Sequence, residues 1–488
     1  MMSYLDLTIT EIHEALVAKK TTPLELVQEA IIRAKANPDN AFELILEKEA
    51  LEIAAALGEV EVDNPLWGIP FVSKDNYATR DIVTTASSDV LNGYRPLFNA
   101  TVIDRLLENK AILIGKTTLD ELAMGGTGTT GHKGITYNPF DPKHERMIGG
   151  SSCGSAAAVA ASIVPLALGS DTGDSVRKPA GYAGLVGMKP TWGRVSRYGL
   201  FPFAPSLDHV GYFTRSIADA ALVTKVLSGH DDKDATSSRR PVAEYEAGLA
   251  SGVKGMRIAV LHEIVNSKHE PYVKSSFDHL VGCLTQAGAI VDRVHFRKDL
   301  LEAIYPMYIT IASAEATSND ANLDGVKFGP SFWGATYEEA ILKARTAGFS
   351  ELIKRRFIIG SFALLRENQA ALFTRAQKGR RLIVQELDKI FGDYDLILSP
   401  TAPNIAPKFE DKTDKFSDQY LIADNHLVLG NFAGLPSLTV PCGLERGMPY
   451  GVNVMGRAFA EADVLRLGAA IERMTGLKNL SAPKEVRL

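Results

Sequence analysis

Cysteine is scarce in this chain. Three residues, Cys153, Cys283 and Cys442, stand among 488, and no CxxC pair occurs. Neither a disulfide framework nor a zinc knuckle is expected, no metal site is expected, and a reducing compartment such as the cytoplasm fits. A basic surplus is also missing. Lys and Arg number 53 against 58 Asp and Glu, for a net charge of −5. That argues against free-standing, charge-driven binding to nucleic acid or an anionic membrane, though a basic partner subunit could supply it. Long hydrophobic runs are absent as well. The most apolar one, Ala156 to Leu168, contains Pro165 and is too short to span a bilayer. The first twenty residues carry acids early and have no apolar signal core, so a soluble, cytoplasmic protein without membrane attachment is expected.

Familiar motifs are missing too. There is no GxSxG elbow, no GK[ST] phosphate loop and no fixed-period repeat. The ten histidines are scattered. His209, in SLDHVG, is the best placed of them to act as a base, but a structural role suits it better.

What the chain does have is an ordinary globular composition, 45% hydrophobic and 23% charged. Residues 1–60 pattern as packing helices: a threonine opens LTITEIHEALVAKK, and Pro23 sits in the first turn of TTPLELVQEAIIRAKAN. Beyond them, short apolar strands such as GIPFVSK, AILIG, PLALGSD, MRIAVL, YDLILSP, PSLTVPCG and YGVNVMG are separated by helical segments. This predicts an α/β architecture around a mixed sheet. Residues 300–390 are almost wholly helix-patterned and read as a helical layer within one domain, 1–488. The tail after Gly476 is polar and reads as loosely ordered.

Three stretches carry potential chemistry. Lys74 ends the apolar strand GIPFVSK. If desolvated there, it would lose its proton readily and could act as a base; otherwise it is a surface lysine reaching out from a strand end. GGSSCGSAAAVAAS, from Gly149 to Ser162, sets hydroxyls at the start of an alanine-rich helix, where they could cap it or meet an anion. In GSDTGDSVRKPA, from Gly169 to Ala180, successive backbone N–H groups could converge on one point, with a serine at the end of the turn. That stretch could equally be a turn without chemistry. With no marked histidine, a lysine base relayed through a second serine remains among the ways to activate a serine nucleophile.

Together, Lys74 after GIPFVS, the GGSS-x-GSAAAVA segment, GSDTG-x-SVRKPA and GLVGMKPTWGRVSRYG resemble the amidase signature family over nearly the whole chain. The resemblance implies the amidase signature fold, a central mixed β-sheet with helices on both faces. It implies a Ser–Ser–Lys triad: Ser175 as nucleophile, Ser151 as bridging serine after a cis peptide, and Lys74 as base. Ser151 and Ser175 stand 24 positions apart, as the family's two serines do. The amides of Thr172, Gly173, Asp174 and Ser175 would form the oxyanion hole.

Within that family, TTLDELAMGGTG, RYGLFPFAPSLDHVG, KRRFIIGSFAL and ADNHLVLGNFAGLPSLTVPCG are similar to the glutamine-hydrolysing subunits of tRNA-dependent amidotransferases. That similarity implies glutamine as substrate. Arg356, rather than Arg355, would take its α-carboxylate, and Asp424 its α-ammonium, with Tyr308 lining the same pocket. It also implies GatB-like and GatC-like partner subunits, tRNA contacted through the partner, and no cofactor in this chain, ATP and Mg being used by the partner. A stand-alone hydrolase of small amides and a non-catalytic scaffold are the alternatives. Asp174 and Cys153 replace residues that are usually glycine in the family, and Asn453 replaces a usual glutamine. A carboxylate at 174 aimed inward would oppose an oxyanion, so it is expected to turn away, toward Arg177 or Lys178.

Overall fold

The computed structural model describes residues 3–411 and 418–483. Their short apolar runs build one eleven-stranded sheet: β1 (Phe42–Ile45), β2 (Pro70–Lys74), β3 (Ile112–Thr117), β4 (Leu166–Asp171), β5 (Val186–Lys189), β6 (His209–Thr214), β7 (Arg257–Leu261), β8 (Ile290–Val294), β9 (Leu396–Pro400), β10 (Ser437–Glu445) and β11 (Met448–Gly456). The order across the sheet is β1-β3-β2-β4-β6-β5-β10-β11-β9-β7-β8. Strands β3, β2 and β4 run parallel at one end and β9, β7 and β8 at the other, with antiparallel pairs between them. The mixed α/β sheet is as the sequence predicted.

Side chains alternate across a strand, so a sheet covered on both faces needs apolar residues at every position. Strand β9 meets that need: Leu396 and Leu398 enter one hydrophobic core and Ile397 the other. Strand β7 does the same, with Ile258 and Val260 on one side and Ala259 and Leu261 on the other. The first core is closed by the helices Ile9–Val17, Pro23–Ala36, Cys153–Ala160, Ile217–Leu227 and Glu461–Thr475. The second lies under Ile304–Asn319, Glu351–Leu364 and Arg375–Asp393, which make up most of the helical layer read from residues 300–390. The first two helices start where the sequence placed them. Thr8 and Thr22 accept from the N–H groups of Glu11 and Glu25, whose carboxylates return the bond.

Three expectations need correction. The first sixty residues are not all helical: Phe42–Ile45 is the edge strand β1, antiparallel to β3. No helix separates β10 from β11, which form a hairpin turning at Arg446 and Gly447. The tail after Gly476 is docked as far as Pro483. Asn479 donates to the Asp6 carbonyl at 2.7 Å and accepts from Arg215, and the Ala482 N–H donates to the Ala160 carbonyl at 2.8 Å. Polar residues gave no hint of this, because their partners, backbone carbonyls and the Arg215 side chain, lie far away in the chain. Among the described residues no helix is long and apolar enough to cross a membrane.

Candidate active site

Strands β2 and β4 are parallel neighbours, with Phe71 opposite Leu166 and Ser73 opposite Leu168. Their C-terminal ends therefore open side by side, where ligands collect in α/β sheets. Lys74 is the last residue of β2 and has no exposed surface. Its Nζ donates to Ser151 Oγ at 2.7 Å, Ser152 Oγ at 2.9 Å and Ser170 Oγ at 2.9 Å. Burial pulls its ammonium down from 10.5 to about 7, against the raising effects of Cys153, Asp120, Asp171 and Asp208. The surface-lysine reading of this position does not hold.

Ser151 follows a cis peptide bond from Gly150. Gly150 has no room for a side chain: a Cβ there would lie 2.0 Å from Asp120 Oδ2. That carboxylate gathers the N–H groups of Thr127, Gly128, Thr129 and Thr130, and the Asp120 N–H donates to the Ser151 carbonyl at 3.1 Å. The segment read as TTLDELAMGGTG thus forms a wall against Ser151. Ser152 does not cap the helix Cys153–Ala160 through its side chain. Its hydroxyl faces Lys74 and the Ser170 backbone instead, so the predicted capping or anion-binding role of these hydroxyls gives way to a lysine contact.

The turn after β4 carries the nucleophile candidate. Ser175 is 4% exposed, and its carbonyl accepts from the Ser152 N–H at 3.2 Å, which ties the two serine segments together. Among the described residues, Ser151 Oγ is bonded to Lys74 alone and Ser175 Oγ to none. The backbone N–H groups of Thr172, Gly173, Asp174 and Ser175 likewise find no acceptor among the described residues. A run of unsatisfied amides beside a serine hydroxyl is what a developing oxyanion requires.

The turn is pinned from below. Asp171, wholly buried, accepts from the N–H groups of Val176 and Arg177 and from the Arg177 guanidinium at 2.9 and 3.1 Å. Burial pushes the Asp171 carboxyl up, but Arg177, Lys189 and Asn431 more than offset it and hold it well below the usual carboxylate range. Arg177 also donates to the Gly173 carbonyl at 2.7 Å, to the Leu427 carbonyl at 2.7 Å and to Asn431 Oδ1 at 2.6 Å. On the other side, Thr172 Oγ1 donates to Asp208 Oδ1 at 2.7 Å.

Asp174 turns from Ser175 toward Lys178. Its carboxylate meets Lys178 Nζ at 2.6 Å, the second of the two expected partners. It is not among the residues with positive φ, so the backbone does not require glycine here. The same Lys178 reaches Asp424 Oδ1 at 3.1 Å and the Asp424 carbonyl at 2.8 Å. Burial alone would lower the Lys178 ammonium, but Asp174 and Asp424 raise it well above its ordinary value.

Tyr308 closes over the turn. A Cβ on Gly173 would lie 3.0 Å from its ring and hydroxyl. Its phenol is pushed up by burial, with Arg356 opposing and Asp174 adding to the rise, so both charges act on one ring. Arg356, on the helix Glu351–Leu364, stands over Phe203 and donates to the Met124 carbonyl at 3.4 Å, while its Nη1 is buried with no partner. Arg355 is exposed.

The other departures are accounted for by packing. Cys153 is buried against the Thr118 carbonyl, its thiol pushed up to about 12 by burial. Asn453 pairs with Ser437 and the Leu438 carbonyl inside the sheet. His209 has Nδ1 on the Leu207 carbonyl, and burial and Lys189 drive its imidazolium well below its ordinary range. It is neutral, with its Nε2 buried and without a partner.

The amidase family profile matches residues 25–465. The chain belongs to the amidase family. Among curated amidase relatives, the A subunit of glutamyl-tRNA(Gln) amidotransferase from Latilactobacillus sakei subsp. sakei (strain 23K) is 43% identical, covering 97% of both chains. Among solved structures, the A subunit of glutamyl-tRNA(Gln) amidotransferase from Thermotoga maritima is 36% identical with a TM-score of 0.79, covering 100% of this chain and 99% of that one. A bacterial aryl acylamidase of the amidase signature family is 25% identical with a TM-score of 0.83, covering 98% and 99%.

The sequence did not single out Asp120, Ser152, Ser170, Asp171, Arg177, Asp208 or Asn431 as site residues. Asp208 lies beside the weighed His209, and Asp171 and Arg177 flank the Ser175 turn. A buried Asp–Arg pair six residues apart across a glycine turn was the available signal.

Proposed function

We propose that this chain is the glutamine-hydrolysing component of a tRNA-dependent amidotransferase, releasing ammonia for the amidation of Glu-tRNA(Gln), Asp-tRNA(Asn) or both. The observation that carries the chemistry is the 2.7 Å contact from a wholly buried Lys74 to the Ser151 hydroxyl. The substrate assignment rests on the identity to the Latilactobacillus sakei amidotransferase over 97% of both chains.

In this reading neutral Lys74 takes the Ser151 proton as Ser151 takes that of Ser175. Ser175 Oγ attacks the side-chain amide carbon of glutamine, and the amides of Thr172 to Ser175 hold the oxyanion. Collapse breaks the C–N bond. The departing nitrogen takes back the proton and leaves as ammonia, and a glutamyl ester remains on Ser175. Water, deprotonated along the same path, cleaves that ester to give glutamate and free Ser175. Arg356, with its unpartnered buried Nη1, takes the α-carboxylate, and the acidic side near Asp424 takes the α-ammonium. GatB-like and GatC-like subunits complete a heterotrimer, with ATP, Mg and tRNA handled by the partner and no cofactor in this chain.

The test is ammonia release from glutamine, with and without partner subunits and charged tRNA. Release that rises on adding both, and is lost in Ser175→Ala, supports the reading. The TM-score of 0.83 to an aryl acylamidase favours a second reading, a free-standing hydrolase of small amides. Rapid hydrolysis of aryl or aliphatic amides by the isolated chain, without glutamine turnover, would establish that one instead.

A further inference from the structure

The cluster beside Ser175 has an unusual charge balance. Lys178 is 8% exposed and lies between two carboxylates, Asp174 at 2.6 Å and Asp424 at 3.1 Å. Two carboxylates and one ammonium leave one negative charge. The surrounding titratable groups do not alter that count. Asp171 is paired with Arg177. His426 is held down to about 4 by burial and is neutral near pH 7. Arg356 also acts on Tyr308, and its guanidinium has a buried Nη1 without a partner. A cation and a cluster with one net negative charge thus both act on the Tyr308 ring, which lies over Gly173. This is the pattern of a zwitterion.

We infer that Asp174 is a specificity-determining residue: it offsets Lys178, so the Asp174–Lys178–Asp424 cluster keeps one negative charge for the α-ammonium of an amino-acid amide. The inference rests on the glutamine reading above and adds a role for a carboxylate that turns from Ser175 onto Lys178. With Asp174 neutral, Lys178 and Asp424 would form a closed pair. An incoming ammonium would meet no net attraction there and would be repelled by Lys178. With both Asp174 and Lys178 neutral, Asp424 alone restores the single negative charge. Asp174 therefore acts through the charge of its neighbours, and its effect belongs to substrate binding, not to the proton path through Ser151.

The experiment uses the chain assembled with its partner subunits. Steady-state kinetics are measured for glutamine and for 5-amino-5-oxopentanoic acid, which is glutamine without the α-amino group. Asp174→Asn should raise KM for glutamine about tenfold or more, the effect of losing one charge within a few ångströms. The rise should be specific to the amino-bearing substrate, so the ratio of KM for glutamine to KM for the deamino substrate should climb about tenfold with it. Adding Lys178→Gln to Asp174→Asn should bring KM for glutamine back to within about threefold of the parent. Equal rises in KM for both substrates in Asp174→Asn would overturn the inference. So would an unchanged KM for glutamine. The substrate split in the single variant decides the matter, even if the double variant folds poorly. A parent enzyme that hydrolyses no glutamine overturns the glutamine reading and this inference with it. A parent that hydrolyses glutamine, with a variant that shows no split, overturns this inference alone.

Discussion

Replacing Lys74 by methionine should abolish amide hydrolysis while the fold survives. The magnitude follows from the environment of the amine. A lysine at its ordinary value of 10.5 has about one molecule in 3,000 neutral at pH 7. Burial brings Lys74 to about 7, so about half is neutral there. The shift corresponds to about 5 kcal/mol of preference for the neutral amine, ready to take the Ser151 proton. Without that amine, kcat/KM for glutamine should fall by at least ~10³-fold. Lys74→Arg should fall as far, since a guanidinium does not give up its proton. In the parent enzyme the active form is the neutral one. Ammonia release measured from pH 5.5 to 8.5 should climb about tenfold per pH unit below 7 and level off above it. Stability has a matching signature. Below pH 7 the folded state bears the cost of the buried charge in full, and between 7 and 10.5 that cost declines because the unfolded chain alone still binds the proton. Lys74→Met should remove this rise, seen as urea midpoints at pH 6 and 9. A flat pH–rate profile, a profile still climbing about tenfold per unit at pH 8.5, or a Lys74→Met enzyme keeping about a tenth of its rate would refute the reasoning.

Asp171→Asn leaves the buried Arg177 without its carboxylate and should cost about 3–5 kcal/mol in urea denaturation, with kcat falling because the same guanidinium holds the Gly173 carbonyl. An unchanged midpoint would show that the pair does not anchor the turn. The Asp171 carboxyl sits below its unfolded value, so its contribution is complete above about pH 4 and is lost on further acidification. Arg356→Ala should raise KM for glutamine by about 10–100-fold, through loss of a charged hydrogen bond, with little change for an amide that has no α-carboxylate. Arg355→Ala, at an exposed position, is the control, and equal effects of the two would reject the assignment.

The sheet and the short strands around the site were readable because β2, β4 and β9 are apolar or small at every position before the last, the mark of a strand covered on both faces. Lys74, Ser151 and Ser175 were readable because each sits in a local motif. Their supports were not. The acceptors of Arg177 at Leu427 and Asn431 lie some 250 residues downstream, beyond the reach of any local pattern. Strand β1 was hidden for a related reason. Its residues are only half-buried at the sheet edge, and it is defined by pairing with β3 more than by its own composition. The docked tail is held by backbone carbonyls, which leave no trace in residue type, and by Arg215, some 260 residues upstream.

The Arg177 anchor also sets an order in time. Lys74, Ser151 and Ser175 all leave the ribosome in the first 175 residues, yet the groups that fix the Ser175 turn arrive with Leu427 and Asn431. At about 5–20 residues per second, that is a delay of roughly 10–50 s. During this interval the nascent chain holds every reactive group and has no rigid frame to aim them. Hydrolytic activity should therefore report that synthesis has passed residue 431, and a chain cut short before residue 427 should be silent although Lys74, Ser151 and Ser175 are all present.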